Sequence, residues 1–467
     1  MATMTFFGAA QEVTGSCYLL ESEGLGKILM ECGMHQGGDT VDRMQREKFD
    51  FNPKKIDAVV LSHAHLDHSG MLPRLINQGY DGPIYCTHAT ADLLRIMLKD
   101  STNLYLRDLE RENVKRRRRG DKLLRAEYDM NDVTQVLSQC VGLDYEEKQT
   151  LGSTGTLTFY DAGHILGSAI VQIDIKERDH PKRLVFSGDL GKRDAVLMND
   201  PEALSHADLL VMESTYGDRE HRTEMDTLKE LEQILHETWQ RGGNVMIPSF
   251  AVGRTQELLY YIGCLHQQGK LDNWQVFLDS PMAIEVTHVY DKWIELLDEK
   301  DTLNLDINHK APLEAFLPNL FLAVTPEDSI AINKITKGAL IIAGSGMCNG
   351  GRICHHFKQR IWNNRNTLIF VGFQARGTIG RSLVDGAKRI KLFGEPFVVK
   401  SRIETLGGFS AHAGQSGLVR WASRFKPTPR IVLVHGEPEA QEMLADKLYK
   451  DHQIRVEIPS KHDSLVF

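Results

Sequence analysis

The densest chemistry in the chain lies in Leu61-Ser62-His63-Ala64-His65-Leu66-Asp67-His68. His63, His65, Asp67 and His68 supply three imidazoles and a carboxylate, the ligand types that zinc accepts. Donors at this density suit a pair of ions better than one. A polar loop rich in histidine is the competing reading.

Side chains so close in sequence converge only on an irregular segment with rigid flanks. The apolar run Ile56 to Leu61 reads as a buried strand, and Ser69-Gly70 opens a helical pattern. The histidines therefore fall on a strand-to-helix loop, where donors can turn toward one point. Upstream, Met4 to Phe7, Ser16 to Glu21 and Lys27 to Met30 read as short strands that begin an antiparallel sheet. Downstream, Thr156 to Tyr160 and Arg183 to Phe186 read as two more.

A chain of 467 residues predicts two to three domains. Its 25% charged and 42% apolar residues are those of a globular protein. No stretch of about 18 apolar residues is present, and the N-terminus lacks the order of a signal peptide, so neither membrane nor export is expected. Seven cysteines without a CxxC pair point to a reduced, cytoplasmic setting. The net charge of −8 confines any polyanion site to a local patch. One such patch is Arg107 to Arg125, with nine Lys/Arg against four Asp/Glu and four consecutive arginines, Arg116, Arg117, Arg118 and Arg119. A solvated helix explains most charge runs; contact with a nucleic-acid backbone is the alternative.

The loop at 63–68 resembles the HxHxDH signature of the metallo-β-lactamase superfamily. The resemblance implies further site residues. Glu31, where the superfamily usually has Asp, would support the loop by hydrogen bonds. His164, in Gly163-His164, and Asp189, in Ser187-Gly188-Asp189, match the next two motifs.

From Leu209 the pattern changes to apolar runs alternating with helical stretches, which indicates a parallel sheet covered on both faces. We expect residues 1–204 and 371–467 to form one domain, with 205–370 inserted as a second. With the resemblance, the expected fold class is α/β: a metallo-β-lactamase αββα sandwich carrying an inserted parallel-sheet domain. Glu213-Ser214-Thr215-Tyr216-Gly217-Asp218, Pro248 to Glu257, and Ser345-Gly346-Met347 with Gly350-Gly351-Arg352 resemble the β-CASP nucleases. That family's additional motifs fall on Glu213, His412 and His435; Gly414 stands where many relatives are acidic. From where the chain begins and ends, neither the C-terminal domain of RNase J-type enzymes nor archaeal KH domains are expected.

The resemblance implies a zinc-dependent ribonuclease with two Zn2+ ions per chain, or Mn2+ in their place. His63, His65 and His164 would hold one ion, and Asp67, His68 and His435 the other. Asp189 would bridge them. His412 would serve as acid or phosphate clamp and Glu213 would orient a histidine. Ser249, Arg254, Arg352, Gln374, Arg376, Arg381 and Ser410 are candidates for gripping RNA, although each arginine alone fits an ion pair equally well. RNA is the expected partner, cut mainly endonucleolytically with 5′→3′ trimming beside it; a homodimer is compatible. A small-molecule metallo-hydrolase of the same fold and a non-catalytic RNA-binding subunit are the alternatives.

Overall fold

The computed structural model describes residues 1–467 apart from 36, 38, 177–180, 307, 373 and 376, and of Glu224 the backbone only. It divides into two compact units, Met1–Glu220 with His412–Phe467, and His221–Ala411.

The first unit is built on two sheets. One runs Ser464–Val466, Thr3–Gly8, Cys17–Ser22, Gly26–Met30, Ala58–Val60, Ile84–Thr87, Cys140–Leu143. The other runs Val456–Glu457, Arg430–Val434, Leu209–Glu213, Lys182–Phe186, Ala169–Ile175, Gly155–Asp161, Lys148–Leu151. Strand alternation sorts the side chains. Val171, Ile173, Leu184, Phe186, Val211 and Val432 join Tyr18, Leu20, Ile28 and Val60 of the opposite sheet in one core. Ile170, Val185, Leu210 and Leu433 point the other way. They meet Leu418 and Trp421 of helix Gln415–Ala422 and Leu444 and Leu448 of helix Pro438–His452. Each such side chain, fully buried, contributes ~1.5–3 kcal/mol. On the far side, helix His88–Arg119 lies against strands Ile84–Thr87 and Cys140–Leu143. The layers are helix, sheet, sheet, helix.

The edge that matters is the carboxyl end of the strands. Gly26–Met30 and Ala58–Val60 are parallel, as are Lys182–Phe186, Leu209–Glu213 and Arg430–Val434. Their carboxyl ends lead into Glu31, the His63 loop, Asp189, Glu213 itself and His435. Loops there are unconstrained by the ladder and free to carry chemistry.

The second unit holds a parallel sheet in the order Leu320–Leu322, Gln275–Asp279, Ala339–Ala343, Val245–Pro248, Thr367–Phe370, Arg402–Thr405. Ala339–Ala343 is buried at every position, as a strand covered on both faces must be. A separate hairpin pairs Arg389–Leu392 with Glu395–Val398.

The boundaries differ from 204/205 and 370/371. Leu209–Glu213 pairs with Lys182–Phe186 and Arg430–Val434, so it belongs to the first unit's sheet. Arg402–Thr405 extends the inserted sheet beside Thr367–Phe370, carrying residues 371–411 into the second unit. An apolar run shows that a strand is buried but not which sheet receives it.

Candidate active site

Glu31 is the base of the site. It follows strand Gly26–Met30 with φ +63, a left-handed backbone that aims a fully buried carboxylate beneath the His63 loop. Its Oε1 accepts the Ser62 N–H at 2.6 Å; its Oε2 accepts the Ser62 hydroxyl at 3.1 Å and meets His68 Nδ1 at 2.6 Å. With Nδ1 held there, His68 presents Nε2, 3.4 Å from Asp189 Oδ2. Ser62 Oγ also lies 2.9 Å from His63 Nδ1, so His63 presents Nε2 as well.

Asp189 gathers the rest. Its Oδ2 lies 3.5 Å from His63 Nε2 and 3.6 Å from His164 Nε2, and its Oδ1 lies 3.5 Å from His435 Nδ1. His65 Nδ1 sits 3.0 Å from His63 Nε2 and 3.3 Å from His164 Nε2. Asp67 Oδ2 is 3.8 Å from His435 Nε2. His435 has φ +49 and is pinned there: its N–H donates to Ala9 O at 2.8 Å, and its carbonyl accepts from Ser214 N at 3.2 Å. Two non-glycine residues in left-handed backbone at one site fit the placement of strain where side chains must be aimed.

Among the described residues, four overlapping groups result, two of which are His63, His65, His164 and Asp189, and Asp67, His68 and His435. Ligand atoms held about 2.0–2.1 Å from a tetrahedral ion stand about 3.3 Å apart, which the separations in the first group match. Among the described residues, His68 Nε2, Asp189 Oδ1 and His435 Nε2 are buried without a hydrogen bond. An orphaned buried polar atom costs ~1–3 kcal/mol, and a cation is the partner these three lack.

Beside the groups stands His412, its ring 4.4 Å from that of His164. Glu213 Oε1 lies 3.3 Å from His412 Nδ1 and accepts the Leu190 N–H at 2.6 Å, tying His412 to the loop that carries Asp189. His65 and His412 differ electrostatically. Burial lowers His65 to about 4, leaving its lone pair available. Burial also opposes charge on His412, but Glu213 first, then Asp189 and Asp67, hold it up at about 9.

The residues expected to grip RNA are placed less uniformly. Arg254 is buried in an ion pair with Glu257. Arg352 donates to Asp279 at 2.6 Å and to the carbonyls of Ala323 and Val324. Arg381 donates to both oxygens of Asp385 at 2.9 Å. These three guanidinium groups are engaged within the chain. Gln374 donates to Gly346 O at 3.0 Å, and the Ser249 hydroxyl accepts from Thr255 and donates to Phe250 O. Ser410 is half-buried in the loop before His412; Arg376 lies outside the described residues. Arg116 to Arg119 form the last turn of helix His88–Arg119, where cations complement the helix dipole. Arg116 pairs with Glu112, while Arg117, Arg118 and Arg119 are exposed. Three positioning groups escaped the sequence reading: Ser62, Ser187, whose hydroxyl accepts the Glu213 N–H, and Thr215, whose hydroxyl lies 3.0 Å from His435 Nδ1. Ser62 adjoins His63 and Thr215 stands two residues after Glu213, a signal that was there to be used.

Comparison with known proteins agrees with this geometry. Residues 10–239 match the metallo-beta-lactamase superfamily, 255–383 the Beta-Casp domain, and 397–459 the Zn-dependent metallo-hydrolase RNA specificity domain. Ribonuclease TTHA0252 of Thermus thermophilus is 39% identical over 435 residues, 93% of each chain. The chain belongs to the β-CASP family of the metallo-β-lactamase superfamily. This β-CASP chain is also 34% identical over 472 residues to transcription termination factor FttA of Methanosarcina mazei, covering 97% of its own length and 69% of that protein. An RNase J-like protein of Methanocaldococcus jannaschii is 30% identical over 463 residues, 98% of each. A crystal structure of a protein of unknown function from Enterococcus faecalis V583 shares the fold, with a TM-score of 0.58 at 15% identity over 100% of both chains. β-CASP membership makes the chain a metal-dependent hydrolase.

Proposed function

We propose that this chain is a zinc-dependent ribonuclease that hydrolyses RNA phosphodiester bonds, mainly endonucleolytically on single-stranded RNA, with 5′→3′ trimming to be assayed beside it. His63, His65 and His164 would hold one ion, and Asp67, His68 and His435 the second. Asp189 would bridge the two, and manganese is the alternative metal. Two bound ions supply an acidified water and positive charge for the phosphate.

The chain's own groups do the rest. Glu31 and Ser62 lock His63 and His68 in the orientation that offers Nε2. Glu213 holds His412 through Nδ1, leaving Nε2 to give its proton to the departing ribose oxygen as the P–O bond breaks. That oxygen is a poor leaving group without a proton, so an acid there is worth ~10²–10⁴-fold.

The observation that carries this reading is the convergence on Asp189 of imidazole nitrogens from three separate loops, with His412 oriented alongside. The name of the Thermus thermophilus relative supports RNA as substrate. The test is incubation of the purified protein with a single-stranded RNA, followed by mapping of fragment ends. Internal cuts that stop on chelation and return with zinc or manganese are expected; chelator-insensitive cutting, or none, would reject the reading.

A further inference from the structure

The hairpin of Arg389–Leu392 and Glu395–Val398 has two unlike faces. Ile390 and Leu392 are buried against the core of the second unit. Arg389 and Lys391 alternate with them and are exposed, and their cross-strand partners, Val398 and Pro396, carry no charge. Among the described residues, no ion pair engages Lys388, Arg389 or Lys391. Residues 388–400 hold four cations and one acid, Glu395, which lies 3.9 Å from Lys358 instead. In a chain of net charge −8 this is a local positive ribbon.

Its tip breaks a local rule. Phe393 and Gly394 form a two-residue turn with φ +51 and +89, a conformation that favours Asn-Gly and disfavours a bulky first residue. The Phe393 ring gains little burial in return: it stays 58% exposed, 4.7 Å from the His355 ring at 30°. An exposed aromatic held in strained backbone at the end of a cationic ribbon is the pairing of stacking platform and charge that single-stranded nucleic acid binds. Residues 388–393 fall between the two matched family regions, 255–383 and 397–459, so neither match assigns them a role.

We propose that this hairpin is a second RNA-contacting surface, stacking a base of single-stranded RNA on Phe393 and holding adjacent phosphates with Lys388, Arg389 and Lys391. It rests on the reading of RNA as substrate. The test uses the full chain, a labelled single-stranded RNA of about 25 nucleotides, and two variants. Phe393→Asn removes the ring and suits the turn, so thermal stability should hold; Arg389→Gln with Lys391→Gln removes charge from exposed positions. Phe393→Asn should weaken binding about 5-fold or more. The double variant should lower the slope of log Kd against log salt by about 1.4, two phosphate contacts on a single strand. Both should raise KM and leave kcat at saturating RNA unchanged. Binding by both folded variants equal to the parent's, while the parent cleaves RNA, would overturn the hairpin proposal alone. A parent that neither binds nor cleaves RNA would overturn the ribonuclease reading and this proposal with it.

Discussion

Two buried aspartates, each after or at the end of a strand and each facing histidine, His356 alone in one case and several in the other, behave in opposite ways. In the second unit Asp279 closes strand Gln275–Asp279 and is fully buried. It meets Ser329 Oγ, His356 Nε2 and Arg352 at 2.6 Å each. His356 Nδ1 in turn lies 3.3 Å from Arg360, which donates to Ile332 O and Asn333. Each carboxylate oxygen of Asp279 is bonded. Asp189 in the first unit faces imidazole nitrogens at 3.4–3.6 Å, and its Oδ1 makes no hydrogen bond among the described residues. Residue types do not separate a structural centre from a ligand centre; the satisfaction of their polar atoms does.

The contrast can be broken from either side. Asp189→Ala should lower RNA cleavage about 10³-fold or more, because removing a bridge costs the several kcal/mol that a metal pair supplies to the phosphate. Circular dichroism should show an unchanged fold. Single-turnover cleavage within 10-fold of the parent would make Asp189 dispensable.

His412→Ala should leave metal content near normal and cost ~10²–10⁴-fold in RNA cleavage. The loss should shrink sharply with a nitrophenyl phosphodiester, whose leaving group needs no proton. Equal losses on both substrates would reduce His412 to holding the phosphate.

Asp279→Ala should act on stability instead. It leaves the buried His356 without its carboxylate and takes one acceptor from the half-buried Arg352, worth ~1–3 kcal/mol, and should depress the denaturation midpoint while bound metal per folded chain stays constant. The same network sets a pH dependence. Burial, only partly offset by Asp279, holds His356 below the ordinary 6.5. Its protonation therefore costs more in the folded chain than in the unfolded one. The stability it contributes is complete above 6.5 and is lost as the pH falls below that value. A thermal midpoint that does not fall between pH 7 and pH 5 would contradict this.

The smallest effect is expected at Arg116 to Arg119. Their replacement by Ala should flatten the salt dependence of RNA binding, since fewer counterions are released, with little change in turnover at saturating RNA. An unaltered slope would leave these arginines to the helix terminus they already complement.

Much of the site was legible because its donors sit in short, chemically unusual loops. His63, His65, Asp67 and His68 announce themselves by spacing, and the structure gathers His164, Asp189, Glu213, His412 and His435 around them. Glu31 differs by a methylene from the usual residue and still reaches both Ser62 and His68, aided by its left-handed backbone. What was not legible depends on long-range pairing. The pairing of Arg352 with Asp279 spans 73 residues and is invisible to local pattern, so a structural guanidinium reads like a phosphate clamp. The unit boundaries differ for the same reason: Leu209–Met212 is apolar throughout and would suit either sheet.

The central claim is that the groups meeting at Asp189 form a metal pair on which hydrolysis depends. Elemental analysis of the purified chain, run beside an RNA-cleavage assay before and after chelation, tests it most directly. The account predicts about two zinc or manganese ions per chain, as the paired ligand groups require, with activity lost on their removal and regained on their return. A chain that carries no metal and cleaves RNA undiminished in chelator would contradict it.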